Sequence, residues 1–208
     1  MKVSQMKLPL KNKPLMIGLL LGVFLISGIF GFIYESTFYW INNGVLTRRG
    51  TCYGPWIQLY GYGGLLLLAC CWWARRRPWL VFLLSGGICG VLELATGWAL
   101  YYFGNGFRSW DYNTEIWNWG NIGGFICLRS VLFFAVSGMF LIYVVWPLLN
   151  LLAAKMKLRT FLLVVGIPCG IFLLDAFYND IVVSFTGWPG ALIFYRDSGW
   201  YGIVAGLK

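Results

Sequence analysis

Charged side chains are scarce in this sequence, and histidine is missing altogether. Only 11% of the 208 residues are charged and 60% are hydrophobic, whereas a soluble domain carries roughly a quarter charged residues. The mean hydropathy is +0.73. The chain is therefore predicted to be an integral membrane protein. The lack of histidine excludes histidine metal sites, Ser-His catalysis and histidine proton switches.

Common catalytic and cofactor motifs are missing as well. The sequence has no Walker A loop, no Gly-x-Ser-x-Gly element and no metal-spaced set of ligands, so it predicts no ATP hydrolysis by this chain, no metal and no other cofactor. The six cysteines have no Cys-x-x-Cys spacing, and most lie in apolar runs. They are interpreted as buried small residues, with Cys52 as the thiol expected to be exposed.

Five apolar segments predict an all-α polytopic bundle of transmembrane helices. Each is near or above the ~20 residues that cross ~30 Å of hydrocarbon. The segments run from Leu15 to Tyr34, Gln58 to Ala74, Trp79 to Phe103, Ile122 to Pro147, and Thr160 to about Val183. We expect residues 1–208 to form a single transmembrane domain: a basic N-terminus at 1–14, a five-helix bundle at 15–183 and a tail at 184–208. The aromatic, glycine-rich tail predicts an interfacial or re-entrant segment.

The distribution of lysine and arginine predicts the orientation in the membrane. Ten positive charges fall in the N-terminal segment and in the second and fourth connections, including Arg75-Arg76-Arg77. The other connections and the tail carry five, among them Arg196 and Lys208. The N-terminus is therefore expected in the cytoplasm and the C-terminus outside a multi-pass cell-membrane protein. The net charge of +9 is assigned to topology and to anionic lipids, and no nucleic-acid partner is expected.

Three charged residues are predicted to lie inside the membrane. Counting along the predicted helices at 1.5 Å per residue places Glu93, Asp175 and Arg129 at one level, roughly 10 Å below the outer surface. Charges at that depth are costly and are normally paired and turned toward the protein interior. One interpretation is a structural ion pair that fixes helix register. The other is a binding or reaction site that opens outward beneath the loop "RSWDYN".

Glycine spacing supports helix contacts next to these acids. Gly86, Gly90, Glu93 and Gly97 lie on one helical face, and small residues allow close helix approach in membranes. The phrases "GIFGFIYE", "GICGVLE" and "GIPCGIFLLD" resemble one another. Together they suggest diverged helix-hairpin repeats.

The segment "TRRGTCYGPW" places two arginines before a Gly-Pro break and a helix start. A helix N-terminus beside arginines can hold a carboxylate or phosphate. The alternative is an interfacial loop that contacts lipid headgroups. The sequence leaves both open.

A family resemblance covers about Gly31 to Pro147. The stretches "NNGVLTRRGTCYGPW", "LELATGW" and "RSWDYN", followed by "NWGNIGGFICLRSVLF", resemble the bacterial CmpB family, named for ABC-transporter permeases. The motif positions that the resemblance implies are Glu35, Arg49, Gly50, Gly54, Pro55, Glu93, Trp110, Asp111, Tyr112, Asn121 and Leu128. The short basic inner connections argue against a conventional ABC permease, which needs a cytoplasmic coupling element. A small substrate-binding membrane subunit is the closer physical analogue.

The leading functional prediction is a membrane transport or substrate-binding subunit with an outward-facing polar site for a small polar or anionic solute or a lipid headgroup. The predicted binding residues are Glu35, Arg48, Arg49, Glu93, Trp110, Asp111, Tyr112, Asn121, Arg129 and Asp175. One alternative is a membrane enzyme acting on outer-leaflet lipid or cell-envelope substrates, with Glu93 or Asp111 as general base. Another is a structural subunit of a membrane complex. Expected partners are membrane lipids, the ligand, and an energising or partner membrane protein.

Overall fold

The computed structural model describes residues 3–46 and 48–198, and helices dominate these residues. The helices are α1 Lys13–Asn43, α2 Gln58–Cys71, α3 Pro78–Phe103, α4 Leu128–Lys155, α5 Leu158–Thr186 and α6 Ala191–Asp197. Short 3₁₀ turns occur at Val3–Gln5, Trp72–Ala74 and Tyr112–Thr114. Ile122 and Ile126 form an isolated antiparallel bridge. The predicted all-α class is confirmed.

Four helices, not five, are long and apolar enough to cross a membrane among the described residues: α1, α3, α4 and α5. The predicted second span is a 14-residue helix, α2, followed by a 3₁₀ turn. Residues 48–57 before it are not helical and are bonded to α5. After Cys71 the α-helix is replaced by the 3₁₀ turn at Trp72–Ala74, which precedes Arg75 to Pro78. The five-span prediction is therefore wrong in its count, because local structure at both ends shortens this helix.

Helix starts follow simple capping chemistry. The Asn12 side chain accepts a hydrogen bond from the Leu15 backbone N–H at 3.2 Å, and Pro14 occupies the first turn of α1. Pro78 begins α3 in the same way. Proline suits these positions because the first N–H groups of a helix have no partner within the helix. Gly44, with φ of 71°, ends α1 in the left-handed conformation.

Two of the long helices contain a π-helical turn. In α4 it covers Leu141–Val145, and the Trp146 N–H bonds to the Leu141 carbonyl. Pro147 follows directly, so the wide turn lies where proline disturbs regular bonding and lets the helix continue to Lys155. In α5 the π turn covers Tyr178–Val182, next to Asp175. The predicted end of the fourth helix at Pro147 is therefore corrected.

The chain divides into two compact units. One comprises residues 66–147 with 3–6, and is called the α3/α4 unit. The other comprises residues 7–65 and 148–198 among those described, and is called the α1/α5 unit. Each has its own helix pairing. The prediction of one transmembrane domain is not tested by this division and stays a prediction.

Glycines allow close helix contact in the α3/α4 unit. A Cβ atom added at Gly86 would lie 3.2 Å from the Ala135 Cβ, and one added at Gly90 would lie 3.2 Å from a Val131 methyl group. Both contacts join α3 to α4. The glycine face predicted for α3 is therefore a helix-packing face.

The α1/α5 unit also uses glycines where two helices meet. A Cβ atom at Gly28 would approach Phe172 of α5 to 2.5 Å. Phe172 and Phe24 are buried together with Cys52, Cys169 and Ala176. Cys52 is only 1% exposed, which corrects the expectation of an accessible thiol. Loop residues 48–57 fold inward and carry this side chain into the unit's core.

The C-terminal segment ends, among the described residues, in α6. Gly187, with φ of 67°, terminates α5, and the chain turns at Trp188 and Pro189 before α6 begins. The Tyr195 hydroxyl donates to the Tyr53 carbonyl at 2.7 Å. Residues 191–197 thus pack on loop 48–57. The predicted interfacial or re-entrant location stays a prediction, and its residues 199–208 lie outside the described part.

Candidate functional site

In the α3/α4 unit, the Glu93 carboxylate is held by two hydroxyl groups. The Tyr112 hydroxyl donates to Oε1 at 2.5 Å, and the Ser130 hydroxyl donates to Oε2 at 2.6 Å. Glu93 comes from α3, Ser130 from the first turn of α4, and Tyr112 from the connecting loop 104–127. Both carboxylate oxygens therefore have a charge-assisted bond. We call Glu93, Tyr112, Ser130, Arg129 and Glu115 the Glu93 cluster.

Arg129 pairs with an acid of the loop. Its Nη2 lies 2.5 Å from Glu115 Oε2, and the side chains are only 12% and 6% exposed. The guanidinium also lies 5.3 Å from the centre of the Tyr112 ring, within cation–π range. Because α4 begins at Leu128, Arg129 lies in its first turn and not seven residues inside a helix. The ion pair therefore holds the loop to the N-terminal end of α4.

Loop 104–127 is ordered by its own polar side chains. The Asn118 amide donates to the Tyr112 carbonyl at 2.9 Å, and the Tyr112 N–H donates to the Gly124 carbonyl at 3.0 Å. The Gly124 N–H donates in turn to the Asn121 side chain at 2.9 Å. Gly124 has φ of 82°, a conformation that favours glycine. These bonds fix the position from which Tyr112 reaches Glu93.

Burial raises the pKa of the Tyr112 phenol well above its ordinary value, and the negative charge of Glu93 raises it further. The phenol therefore stays protonated at physiological pH. It acts as a hydrogen-bond donor to the carboxylate and not as a base. This makes Tyr112 a neutral link between the loop and α3.

The stretch "RSWDYN" lies within this loop and contacts its other residues. Asp111 accepts bonds from the Asn113 backbone at 3.0 Å and side chain at 2.7 Å, and Arg108 lies 3.6 Å away. Arg108 also donates to the Gly123 carbonyl at 2.9 Å. Trp110 donates to the Phe125 carbonyl at 2.9 Å and packs on Gly97 of α3. Asp111 is thus a turn-forming acid, and Trp110 anchors the loop.

In the α1/α5 unit, Asp175 receives hydrogen bonds from loop 48–57. Its oxygens accept from the Tyr53 N–H at 2.9 Å, the Gly54 N–H at 2.8 Å and the Trp56 indole at 2.9 Å. The Asn179 amide, one turn further along α5, adds a bond of 2.8 Å. Four donors satisfy the carboxylate. Asp175 therefore anchors the loop that leads into α2.

Arg48, the first residue of loop 48–57, also holds this loop through hydrogen bonds. Its Nη2 donates to three carbonyls, those of Cys52, Tyr53 and Gly54, at 2.7, 2.6 and 2.8 Å. Its guanidinium lies 3.9 Å from the Tyr195 ring centre. Arg48 is 8% exposed. The residue holds the loop in a closed turn and stacks beneath α6.

Two further acids complete the polar contacts of the α1/α5 unit. Arg49 Nε lies 2.8 Å from Glu35 Oε2, and the Arg49 Cζ lies 4.1 Å from the Tyr39 ring centre. Asp180, on the π turn of α5, accepts from the Thr51 hydroxyl at 2.7 Å and from the Gln58 amide. Loop 48–57 is therefore bonded to both α1 and α5.

The predicted site residues fall into two groups. Glu93, Trp110, Asp111, Tyr112, Asn121 and Arg129 lie in the α3/α4 unit, and Glu35, Arg48, Arg49 and Asp175 lie in the α1/α5 unit. In the first group, the structure brings Tyr112 to Glu93 and Tyr112 to Arg129. In the second, Arg49 meets Glu35. Their role in binding stays a prediction, and the described residues hold no cluster of acidic or cysteine side chains suited to a metal.

Sequence reasoning missed several residues that complete these contacts. They are Ser130, Glu115, Trp56, Asn179 and Asn118. Glu115 is one of only seven acids, so an ion pair between it and an arginine could have been predicted from the sequence. The contacts of Ser130 and Asn179 could not have been predicted, because single polar residues in apolar helices are common.

The amino-acid sequence of the whole chain was compared with known protein families. A family model described as "Putative ABC-transporter type IV", ABC_trans_CmpB, matches residues 22–179. No curated protein and no solved structure matches the chain. The match begins within α1 and ends within the π turn of α5, and it includes both groups of polar residues. The chain therefore belongs to this family, ABC_trans_CmpB.

Proposed function

We propose that this protein is a membrane transport or substrate-binding subunit whose loop-covered polar residues bind a small polar solute or a lipid headgroup. The observation that carries the proposal is the Glu93 cluster, where a carboxylate on a candidate membrane span meets an ordered polar loop. Ionisable groups in such helices are costly and mark binding or transport paths. Family membership supports a transport-related role.

The charge balance favours a ligand that brings hydrogen-bond donors. In the Glu93 cluster, two carboxylates, Glu93 and Glu115, accompany the single arginine Arg129. Around loop 48–57, the carboxylates of Glu35, Asp175 and Asp180 accompany Arg48 and Arg49. Each of these arginines already has an oxygen acceptor. An added anion would compete with the Glu35 or Glu115 carboxylate for Arg49 or Arg129, so hydroxyl or amine groups of the ligand suit these residues better.

The proposal is tested by native mass spectrometry of the protein purified in mild detergent, with Glu93→Gln beside it. We expect a small molecule or lipid bound to the unmodified protein, with at least tenfold lower occupancy in the variant, a loss of about 1.4 kcal/mol. Asp197→Asn is the matched control, because Asp197 is exposed and its ion pair among the described residues is with its neighbour Arg196.

The mass of the bound species separates a lipid headgroup from a soluble solute. Equal occupancy in the unmodified protein and in Glu93→Gln would contradict a ligand site at this cluster. A complex with a second membrane protein that survives in both forms would instead favour the structural-subunit alternative.

A further inference from the structure

Glu93 differs from the other acids of the described residues in the kind of partner it has. Glu35, Glu115, Asp111 and Asp197 each have an arginine nitrogen within 4.0 Å. Asp175 accepts from backbone and side-chain N–H groups, and Asp180 from a hydroxyl and an amide. Glu93 accepts from two hydroxyls, and no described lysine or arginine nitrogen lies within 4.0 Å of it.

An ionised carboxylate on a membrane span without a paired cation is costly, and a bound proton removes that cost. A reversible proton site needs more than a lone acid, however. It needs a satisfied hydrogen-bond arrangement both with and without the proton, because an unmet buried polar group costs about 1–3 kcal/mol.

Ser130 provides both arrangements. Its Oγ lies 2.6 Å from Glu93 Oε2 and 2.8 Å from the Cys127 carbonyl oxygen, and the residue is 3% exposed. One hydroxyl hydrogen can point to only one of these acceptors at a time. When Glu93 is ionised, the hydroxyl donates to Oε2. When Oε2 carries a proton, that proton is donated to Ser130 Oγ and the Ser130 hydrogen turns to Cys127.

We propose that Glu93 is a reversible proton-binding site and that Ser130 is the hydroxyl that adapts to its protonation. One proton from solvent forms the Oε2–H bond, the carboxylate charge is neutralised, and release reverses the step. Tyr112 donates to Oε1 in both states, so no heavy atom has to move. This inference rests on the proposed transport function, in which the bound proton would be the driving ion.

The charged and titratable groups around Glu93 determine the electrostatic environment of the bound proton. From the loop come Tyr112 and the Glu115 carboxylate, from α4 comes Arg129, and α3 itself contributes Cys89 one turn earlier. Arg129 and Glu115 offset each other through their ion pair. The Glu93 charge is thus the unbalanced one in the cluster, and protonation brings the cluster to neutrality.

Infrared difference spectroscopy of the full protein in nanodiscs of phosphatidylethanolamine and phosphatidylglycerol tests this site without any solute. On acidification we expect a protonated-carboxyl band that is lost in Glu93→Gln and retained in Asp197→Asn. Ser130→Ala is expected to move the pH at which the band appears, because it removes the donor to the anion and the acceptor for the acid. Size-exclusion chromatography and circular dichroism verify that each variant is folded.

A band of unchanged size in folded Glu93→Gln would overturn the proposal. If Glu93→Gln does not fold, Ser130→Ala decides, and an unchanged titration in that variant overturns the adapting role of Ser130. Because no solute is present, proton binding can be found while ligand retention fails, or the reverse. The two proposals are therefore separately testable.

Discussion

At the scale of single residues, hydrogen-bond saturation decides what each charged group can do. Asp175 has four donors and Arg48 donates to three carbonyls, so both are committed to holding loop 48–57. Among the described residues, two hydroxyl groups donate to Glu93. The chemically adaptable acid is thus in the α3/α4 unit, while the acids of the α1/α5 unit chiefly fix the backbone.

Cys52 gives a pH-dependent prediction at this scale. Burial raises the pKa of its thiol to about 12, and the negative charges of Asp175 and Asp180 add to the effect. The thiolate is the reactive form, so alkylation by a maleimide at neutral pH is expected to be very slow and to speed up only as the pH rises toward this value. Peptide mass spectrometry of the labelled protein measures the rate.

The variant Asp175→Asn tests whether the Asp175 charge and its contacts with loop 48–57 cause the slow labelling of Cys52. It removes a nearby negative charge and replaces an acceptor of three loop N–H groups with an amide that has donors of its own. We expect faster Cys52 labelling than in the unmodified protein, with the detergent-unfolded chain as the upper limit. Rapid labelling of Cys52 in the folded, unmodified protein would contradict its burial.

At the scale of helices, glycine position matters more than glycine number. Gly28 of α1 meets Phe172, whereas Gly166 and Gly170 of α5 have no atom within 4 Å of an added Cβ among the described residues. A small residue at each of these positions is compatible with close helix packing. Only the rotation of each helix about its axis decides which glycine faces a neighbour, and packing across the unit sets that rotation.

Gly28→Ala and Gly166→Ala therefore form a matched pair. The first forces a methyl group against Phe172 and is expected to cost about 2 kcal/mol of stability. The second adds a helix-favouring residue in open space and is expected to be neutral or to stabilise by up to about 1 kcal/mol. Thermal unfolding in detergent, followed by tryptophan fluorescence, measures both. Equal effects would show that α1 and α5 do not meet at Gly28.

At the scale of the whole molecule, the number of crossings decides the side on which loop 104–127 lies. The positive-inside prediction counted residues 58–74 as a span and places the N-terminal segment in the cytoplasm and loop 104–127 outside. If α2 does not cross, α1 and α3 are the two crossings between these segments, and both segments lie on the same side of the membrane. In a variant whose six native cysteines are replaced, Ser109→Cys is expected to react with a membrane-impermeant maleimide in intact cells. Leu10→Cys is expected to react only after lysis. Reaction of both cysteines in intact cells, or of neither, would contradict this topology and match two crossings between Leu10 and Ser109. The reverse pattern would invert the orientation and place loop 104–127 on the cytoplasmic side.

The sequence by itself determined the class of this protein and the bounds of several helices. Long uncharged apolar runs cross lipid as helices, which satisfy their own backbone hydrogen bonds, and the predicted segment from Trp79 to Phe103 matches α3 at Pro78–Phe103 to within one residue. Motif positions such as Glu93 and Tyr112 could also be selected from the sequence. Their mutual contact could not, since it depends on the path of loop 104–127.

Tertiary structure alone decided the partners of each charge. Arg129 pairs with Glu115 because α4 begins at Leu128 and the loop turns back over that end. Cys52 is buried because Asp175 and Arg48 draw its loop inward, and α2 is short for the same reason. Hydropathy reports how much a segment prefers lipid over water. It carries no information on which donor reaches which acceptor, and that distinction separates a structural acid from one free to take up a proton.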